Sequence, residues 1–439
     1  MRTVGVPLTN PVTTNCRACG AGPIERILDL GEQPISTHFP EPTAPQDDTW
    51  PLRVGVCPAC LLLQLERTGA PEEADDTALL GLAAQSKSLD TYARQSVRHL
   101  RDTLGLSADS RIVELGSHGN HLRAAFAELG LATTIVEPDA DIAARMGGVA
   151  ADVIAWRPGD PLGSRTSVLC GADLVVDDFL LAHLDDVDSA IEGLAGLLAA
   201  EGTLALTVDH ALPVLTGVQL DALRHGHHAV FSLLALEPLL ARHGLTVVDA
   251  ELLPMYGGSL RVLAQPSTVA RRPRPDVARI RYAERAAGLH RLDAYRHFGK
   301  SSADAAVALH RHVTASRAAG RVVVGYGAPS RAATLLTAAG IGPDLLPFTV
   351  DRAPAKHGRT IPGTRVPICA PDAITATRPD EIVLLAWPMA EEIVASLPEV
   401  QTWGGRFVIP LPSPSVIETD PSPDRHASPQ LRCPRDARR

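Results

Sequence analysis

A chain of 439 residues is too long for one ordinary core and predicts two or three domains. With 45% hydrophobic and 21% charged residues it reads as globular, and its net charge of -9 argues against a nucleic-acid backbone as the main partner, because such binders carry a basic face. No stretch approaches the roughly 18 apolar residues of a membrane span, and residues 1–11 lack the charged start and apolar run of a signal peptide, so a cytoplasmic protein with no membrane partner is expected.

Four of the seven cysteines come first, as two pairs, Cys16-x-x-Cys19 and Cys57-x-x-Cys60. Zinc prefers four thiolates in a tetrahedron, and two tight turns supply two ligands each. A thioredoxin-like redox motif and a disulfide pairing are the alternatives; the first needs only one pair. Four protein ligands leave no open position. The expectation is a structural zinc in a module over residues 13–66, with short strands or a loop between the pairs.

Residues 75–107 read as helical, with Leu79, Leu80, Leu82 and Leu89 spaced along them. A strand–turn–helix follows over 111–129. Further strands are expected at 133–136, 173–178 and 202–208, with helices at 188–198 and 233–243, then strands at 245–249 and 259–264. This alternation predicts a doubly wound parallel sheet within residues 75–264. Residues 265–275, rich in Pro and Arg, read as a linker, and 277–318 as one long helical stretch. A second β–α series begins at 321, with strands at 348–351, 381–386 and 405–410. It predicts a Rossmann-like domain over 276–417. The tail, 418–439, is rich in Pro, Ser and Arg and is expected to be disordered.

Glu114-x-Gly116-Ser117-x-Gly119 lies between a predicted strand and helix. Glycines there let the backbone approach a ligand, and the helix start favours negative charge. Glu137, at the end of the next strand, is placed to accept hydrogen bonds from both ribose hydroxyls. Together these fit a nucleoside cofactor. Glu114 occupies the first glycine's place in the dinucleotide fingerprint, so S-adenosylmethionine fits better than NAD. Asp177, Asp178 and His183 are expected to line the same crevice, with helix capping the alternative for Asp178. Arg224-His225-Gly226-His227-His228 is the densest histidine cluster. A neutral imidazole takes a proton near pH 7, which makes a general base the expectation and a polar loop the alternative. Gly325-x-Gly327 is a weak dinucleotide signal. Lys356 and Arg359 suit a diphosphate, or a solvated loop.

Taken in order, these segments resemble one family, the S-adenosylmethionine-dependent sugar C-methyltransferases of deoxysugar biosynthesis. The resemblance runs from Cys16-Arg17-Ala18-Cys19 and Leu28-Asp29-Leu30-Gly31-Glu32-Gln33-Pro34 through Val113-Glu114-Leu115-Gly116-Ser117, Val136-Glu137-Pro138 and Ala182-His183-Leu184. It continues through His225-Gly226-His227, Gly257-Gly258-Ser259-Leu260-Arg261, Gly325-Tyr326-Gly327-Ala328-Pro329 and Trp403-Gly404-Gly405-Arg406-Phe407. It implies an α/β protein with three parts: a small zinc-binding N-terminal module, a central Rossmann-like class I methyltransferase domain, and a C-terminal Rossmann-like domain that binds a sugar nucleotide. It also implies a thymidine diphosphate-linked 4-keto deoxysugar as substrate and a place in antibiotic or other secondary-metabolite biosynthesis; a monomer is expected. A base removes the proton beside the ketone and the enolate takes the methyl group.

In the family's Tyr-His-Glu-His segment the second histidine is the base, which is His227 here; His225 is the first, Arg224 replaces the tyrosine and Gly226 the glutamate. Arg224 is then the group left to stabilise the enolate. On the substrate side the resemblance implies Tyr326, Lys356, Arg359 and Arg331, the last standing where the family has lysine. The departures keep two alternatives in view: an O-methyl or non-sugar acceptor, and a non-catalytic binding homologue.

Overall fold

The computed structural model describes residues 15–67, 87–116, 121–147 and 153–417. Ser117, Gly119, the expected tail 418–439 and the first part of the expected helix 75–107 lie outside the described residues. Three sheets organise the rest.

The first sheet runs in the order β1 (Glu25–Pro34), β2 (Thr49–Val56), β3 (Leu63–Leu65), β9 (Ala229–Val230), all antiparallel. Leu52, Val54 and Val56 alternate along β2, and all three are buried, the two-residue period of a half-covered strand. Its fourth strand comes from far along the chain: Leu63 pairs with Val230 and Gln64 with Ala229.

The second sheet has seven strands. Parallel strands β4 (Ile112–Leu115), β5 (Thr133–Glu137), β6 (Val153–Ala155), β7 (Ala172–Asp178) and β8 (Leu198–Asp209) are followed by an antiparallel hairpin, β10 (Leu245–Leu253) and β11 (Ser259–Pro266). The order is β10-β11-β8-β7-β4-β5-β6. Strands covered on both faces read as apolar runs, as Leu174-Val175-Val176 does. The chain reverses its direction of advance between β4 and β7. That switch point opens a crevice at the carboxyl ends of the strands.

The third sheet, in the order β14-β13-β12-β15-β16-β17, comprises β12 (Val323–Tyr326), β13 (Thr349–Val350), β14 (Ile368–Cys369), β15 (Glu381–Leu384), β16 (Arg406–Ile409) and β17 (Ser415–Ile417). It is parallel except at β17. The expected linker is partly strand, since Gln265 and Pro266 finish β11 and the Gln265 amide donates to Thr203 Oγ1 at 3.1 Å. The expected single helical stretch is two helices, Pro275–Ala286 and Leu292–Ala318.

A common core joins the sheets. Leu52, Val54 and Leu63 of the first pack with Leu220 and Leu223 of the second unit and with Phe298, Leu309 and Leu336 of the third. Polar contacts reinforce it. Arg296 on the long helix pairs with Glu25 of β1 at 2.6 Å, and Thr360 N donates to the Pro40 carbonyl at 2.9 Å. Among the described residues no helix is long and apolar enough to cross a membrane.

Candidate active site and metal centre

The four cysteine sulfurs all lie within 4.8 Å of one another, with Cys16–Cys60 at 3.5 Å and Cys19–Cys57 at 3.6 Å. A tetrahedron with metal–sulfur bonds of about 2.3 Å has sulfurs about 3.8 Å apart, whereas a disulfide needs about 2.05 Å. The spacing fits one zinc ion. Gln64 Nε2 at 3.2 Å and Ala18 N at 3.4 Å donate to Cys16 Sγ, the kind of outer contact that holds a thiolate ligand.

The cofactor candidates of the second sheet converge on its switch point. Glu114 leaves β4 and Asp177 and Asp178 leave β7, on either side of the reversal; Glu137 ends β5. Gly116 has φ +56°, and a Cβ there would meet the Leu180 side chain at 3.4 Å, so the turn lies close against its neighbour. Glu137 Oε1 accepts from Asp139 N at 3.1 Å. Burial, then the nearby charge of Asp178, pushes the Glu114 carboxyl up to about 8; burial pushes Asp177 up to about 7. Glu114 Oε2 and Asp177 Oδ2 are buried without a hydrogen-bond partner. A crevice of buried, under-satisfied acids suits a ligand that carries positive charge, as a sulfonium or ammonium does. The capping bond at the start of residues 180–183 is made by Asp177, which accepts from Leu181 N at 3.3 Å. Asp178 instead accepts from Tyr92 Oη at 2.6 Å. Arg261 stacks on that tyrosine at 5.8 Å and pairs with Glu251 at 2.7 Å, so the helix Lys87–Leu104 is fastened to the crevice.

His227 is positioned by its neighbours. After it, His228 N donates to the Ala182 carbonyl at 2.7 Å, the His228 carbonyl accepts from Leu65 N at 2.8 Å, and Phe231 N donates to the Asp209 carbonyl at 3.1 Å. Before it, Arg224–His227 forms a tight turn with His227 N on the Arg224 carbonyl at 2.9 Å. Gly226 has φ +81°, a conformation that strains the glutamate the family places there. The imidazole Nε2 then lies 2.8 Å from Asp209 Oδ2, at the carboxyl end of β8. Nδ1 is buried and unpartnered, and the His183 ring stands edge-on at 5.0 Å. Burial and the Arg224 charge hold His227 below its ordinary value, against the opposing pull of Asp209. Burial pushes the Asp209 carboxyl up, but His227, Arg331 and Arg224 together hold it below the usual carboxylate range. Asp209 was not among the sequence candidates. Its signal is the one that picked out Asp177, an acid ending a parallel strand. His225 turns toward the first sheet, with Nε2 3.1 Å from the Trp50 carbonyl and its ring edge-on to Trp50.

The third sheet sends one cation to this region. Arg331 is buried, lies 5.4 Å from the Trp387 ring centre and 3.9 Å from Asp221, and has an unpartnered Nη1. Trp387 Nε1 donates to Asp221 Oδ2 at 2.9 Å. The other substrate candidates make contacts elsewhere among the described residues. Lys356 Nζ donates to the Ala328 carbonyl at 2.7 Å and lies over the Phe39 ring at 4.8 Å. Arg359 donates to the Phe39 carbonyl at 2.9 Å. Both join the third sheet to Phe39. Tyr326 is buried in the core of the third sheet.

Comparison with known proteins gives three kinds of likeness. Residues 254–412 match the family described as "C-methyltransferase C-terminal domain", and residues 16–74 the one described as "Putative zinc binding domain". The C-methyltransferase NovU of Streptomyces niveus is 31% identical over 413 residues, 92% of this chain and 97% of that protein. Among solved structures, the 1,6-didemethyltoxoflavin-N1-methyltransferase of Burkholderia thailandensis is 18% identical, covering 49% of this chain and 96% of its own, with a TM-score of 0.32. An S-adenosylmethionine-dependent methyltransferase from Clostridium acetobutylicum is 10% identical, covering 40% and 91%, with a TM-score of 0.32.

Proposed function

The chain belongs to the C-methyltransferase family, and on that premise we propose that it methylates a carbon beside the ketone of a nucleotide-linked 4-keto deoxysugar. Its cofactors are S-adenosylmethionine and a structural zinc. When bound, S-adenosylmethionine supplies a methyl group already activated on a sulfonium. The chain's own residues have three tasks: to make a carbanion, to hold the oxyanion, and to align the acceptor at the crevice.

The observation that carries this reading is the His227–Asp209 pair. With Nε2–H donated to Asp209, the lone pair sits on Nδ1, which has no other partner. Held below its ordinary value, the imidazole is neutral at pH 7 and ready to accept. In the proposed reaction the C–H bond beside the ketone breaks, the proton passes to Nδ1, and its electron pair moves onto the carbonyl oxygen. Arg224, beside His227 in the turn, holds that oxygen. Glu114, Gly116, Glu137, Asp177, Asp178 and His183 form the cofactor side, and Ser117 and Gly119, of the same sequence motif, are assigned to the cofactor with them. Arg331 holds the acceptor from the third sheet. His225 is assigned a positioning role, keeping the turn against Trp50.

The test is incubation with S-adenosylmethionine and a panel of thymidine diphosphate-linked 4-keto deoxysugars, with products read by mass spectrometry and carbon-13 NMR. A methyl group on carbon is expected from at least one sugar, and His227→Ala is expected to abolish it while leaving cofactor affinity nearly unchanged. A methyl group on oxygen, no product from any keto sugar, or normal turnover by the variant would overturn the reading.

A further inference from the structure

Tyr256 lies outside everything assigned so far. It stands in the turn between β10 and β11 with φ 53° and ψ 24°, the left-handed region that bulky residues avoid because it costs free energy. The two residues that follow are glycines, which take such angles without strain. A third glycine would relieve the turn, yet a tyrosine occupies it. Packing does not account for the choice, because the side chain is 44% exposed. Strain held by a rigid surround points to a use for the side chain.

The surround is rigid. Gly258 N and Ser259 Oγ both donate to the Met255 carbonyl, at 2.8 and 2.9 Å. Gln219 Nε2 donates to the Gly257 carbonyl at 2.8 Å, and His210 N to the Gly258 carbonyl at 3.2 Å. The turn is therefore tied to the residue that follows Asp209, the partner of His227. On its other side the Tyr256 ring meets Phe179 edge-on at 5.0 Å, and Phe179 directly follows Asp178 at the cofactor crevice. Phe179 itself has φ 72°, so two left-handed aromatics face each other at the seam between the crevice and the His227–Asp209 pair.

The Tyr256 hydroxyl makes no hydrogen bond within the described residues. The charges that act on it are Asp178, Asp209, Arg224 and Arg331, three of which also act on His227. A tyrosine hydroxyl keeps its proton up to about pH 10, so at working pH it can donate to a developing anion.

We propose that Tyr256 is a further catalytic residue, its hydroxyl donating a hydrogen bond to the acceptor's carbonyl oxygen as the proton leaves for His227. The proposal rests on the keto-sugar reading above. The electron pair of the broken C–H bond becomes the enolate, and its oxygen is shared between Arg224 and Tyr256. The carbonyl re-forms when the carbon is methylated, and Tyr256 keeps its proton throughout.

The test separates proton removal from methyl transfer. The full chain is incubated in deuterium oxide with a thymidine diphosphate-linked 4-keto deoxysugar and no methyl donor, and exchange of the proton beside the ketone is followed by NMR. Exchange by the unaltered protein, and a loss of about 10²–10³-fold in Tyr256→Phe, are expected from removing one oxyanion donor. Tyr256→Phe keeps the ring on Phe179, so its thermal midpoint and its Kd for S-adenosylhomocysteine should match the unaltered protein. Tyr256→Gly should lose exchange equally while the turn's strain is removed. Exchange by Tyr256→Phe at the unaltered rate overturns this proposal alone. No exchange or methylation of any keto sugar by the unaltered protein overturns the acceptor reading, and this proposal with it.

Discussion

Replacing Asp209 by Asn keeps the shape of the His227 partner and removes its charge. The two groups are 2.8 Å apart and both buried. With the imidazole neutral, what is lost is the charge-assisted part of one hydrogen bond, about 1.5–3 kcal/mol. Asp209 raises His227 against burial and Arg224, so its loss moves the imidazole further below its ordinary value. The neutral base then persists to lower pH, but it is a weaker base and its tautomer is no longer fixed. The acid limb of the pH–rate profile should therefore move to lower pH while the plateau falls by about 10²-fold, within the usual reach of general-base catalysis. Cofactor affinity, set on the other side of the crevice, should hold. The assay is initial rate of proton exchange and of methyl transfer across pH. A plateau equal to that of the unaltered protein, or an acid limb moved upward, would refute the assignment of His227 as base.

Two further outcomes follow from the metal and from the acids. Cys57 is fully buried at the metal centre, so Cys57→Ser should lose stoichiometric zinc and lower the thermal midpoint; metal analysis showing one zinc per chain retained would contradict the four-thiolate site. Glu114 keeps its proton in the folded chain up to about pH 8, while the unfolded chain releases it near the ordinary glutamate value of about 4.3. Where the native state holds more protons, stability falls as pH rises. Over this window the difference amounts to at most about 5 kcal/mol. Glu114→Gln should flatten that decline, measured as urea midpoints between about pH 5 and pH 8; an unchanged slope would show that Glu114 is not the group.

Local patterns revealed the parts that repeat a simple rule. The Cys-x-x-Cys pairs, the apolar runs such as Leu174-Val175-Val176 and the acids at strand ends each follow from nearest neighbours in sequence. So did the family resemblance, since it is a series of short segments in order. What sequence did not reveal depends on long-range pairing. Asp209 meets His227 through contacts far apart in sequence, Phe231 N on the Asp209 carbonyl beside the β9–β3 pairing, and no local pattern announces a two-residue strand. Lys356 and Arg359 read as cations for a diphosphate because their composition fits one. The fold uses their donors on the carbonyls of Ala328 and Phe39. Gly226 read as a lost catalytic glutamate, and its positive φ shows a turn that accepts glycine more readily than any side chain. Tyr256 carried no signal beyond its two following glycines.

The pairing of β9 with β3 also bears on how such chains can be recombined. A cut near residue 66 looks like a clean boundary, yet the sheet it would split has its last strand at Ala229–Val230, two residues after the proposed base. Any exchange of the N-terminal module between relatives must carry a matching edge at Leu63–Leu65, or the loop with His225 and His227 loses its template. Swaps made elsewhere, at the exposed start of the helix Pro275–Ala286, leave that edge intact but still separate Glu284 from the backbone of Leu233 and Leu234, to which it accepts bonds at 2.6 and 2.9 Å. The heritable unit in this architecture is therefore the set of strand and cap partners rather than the contiguous stretch of chain.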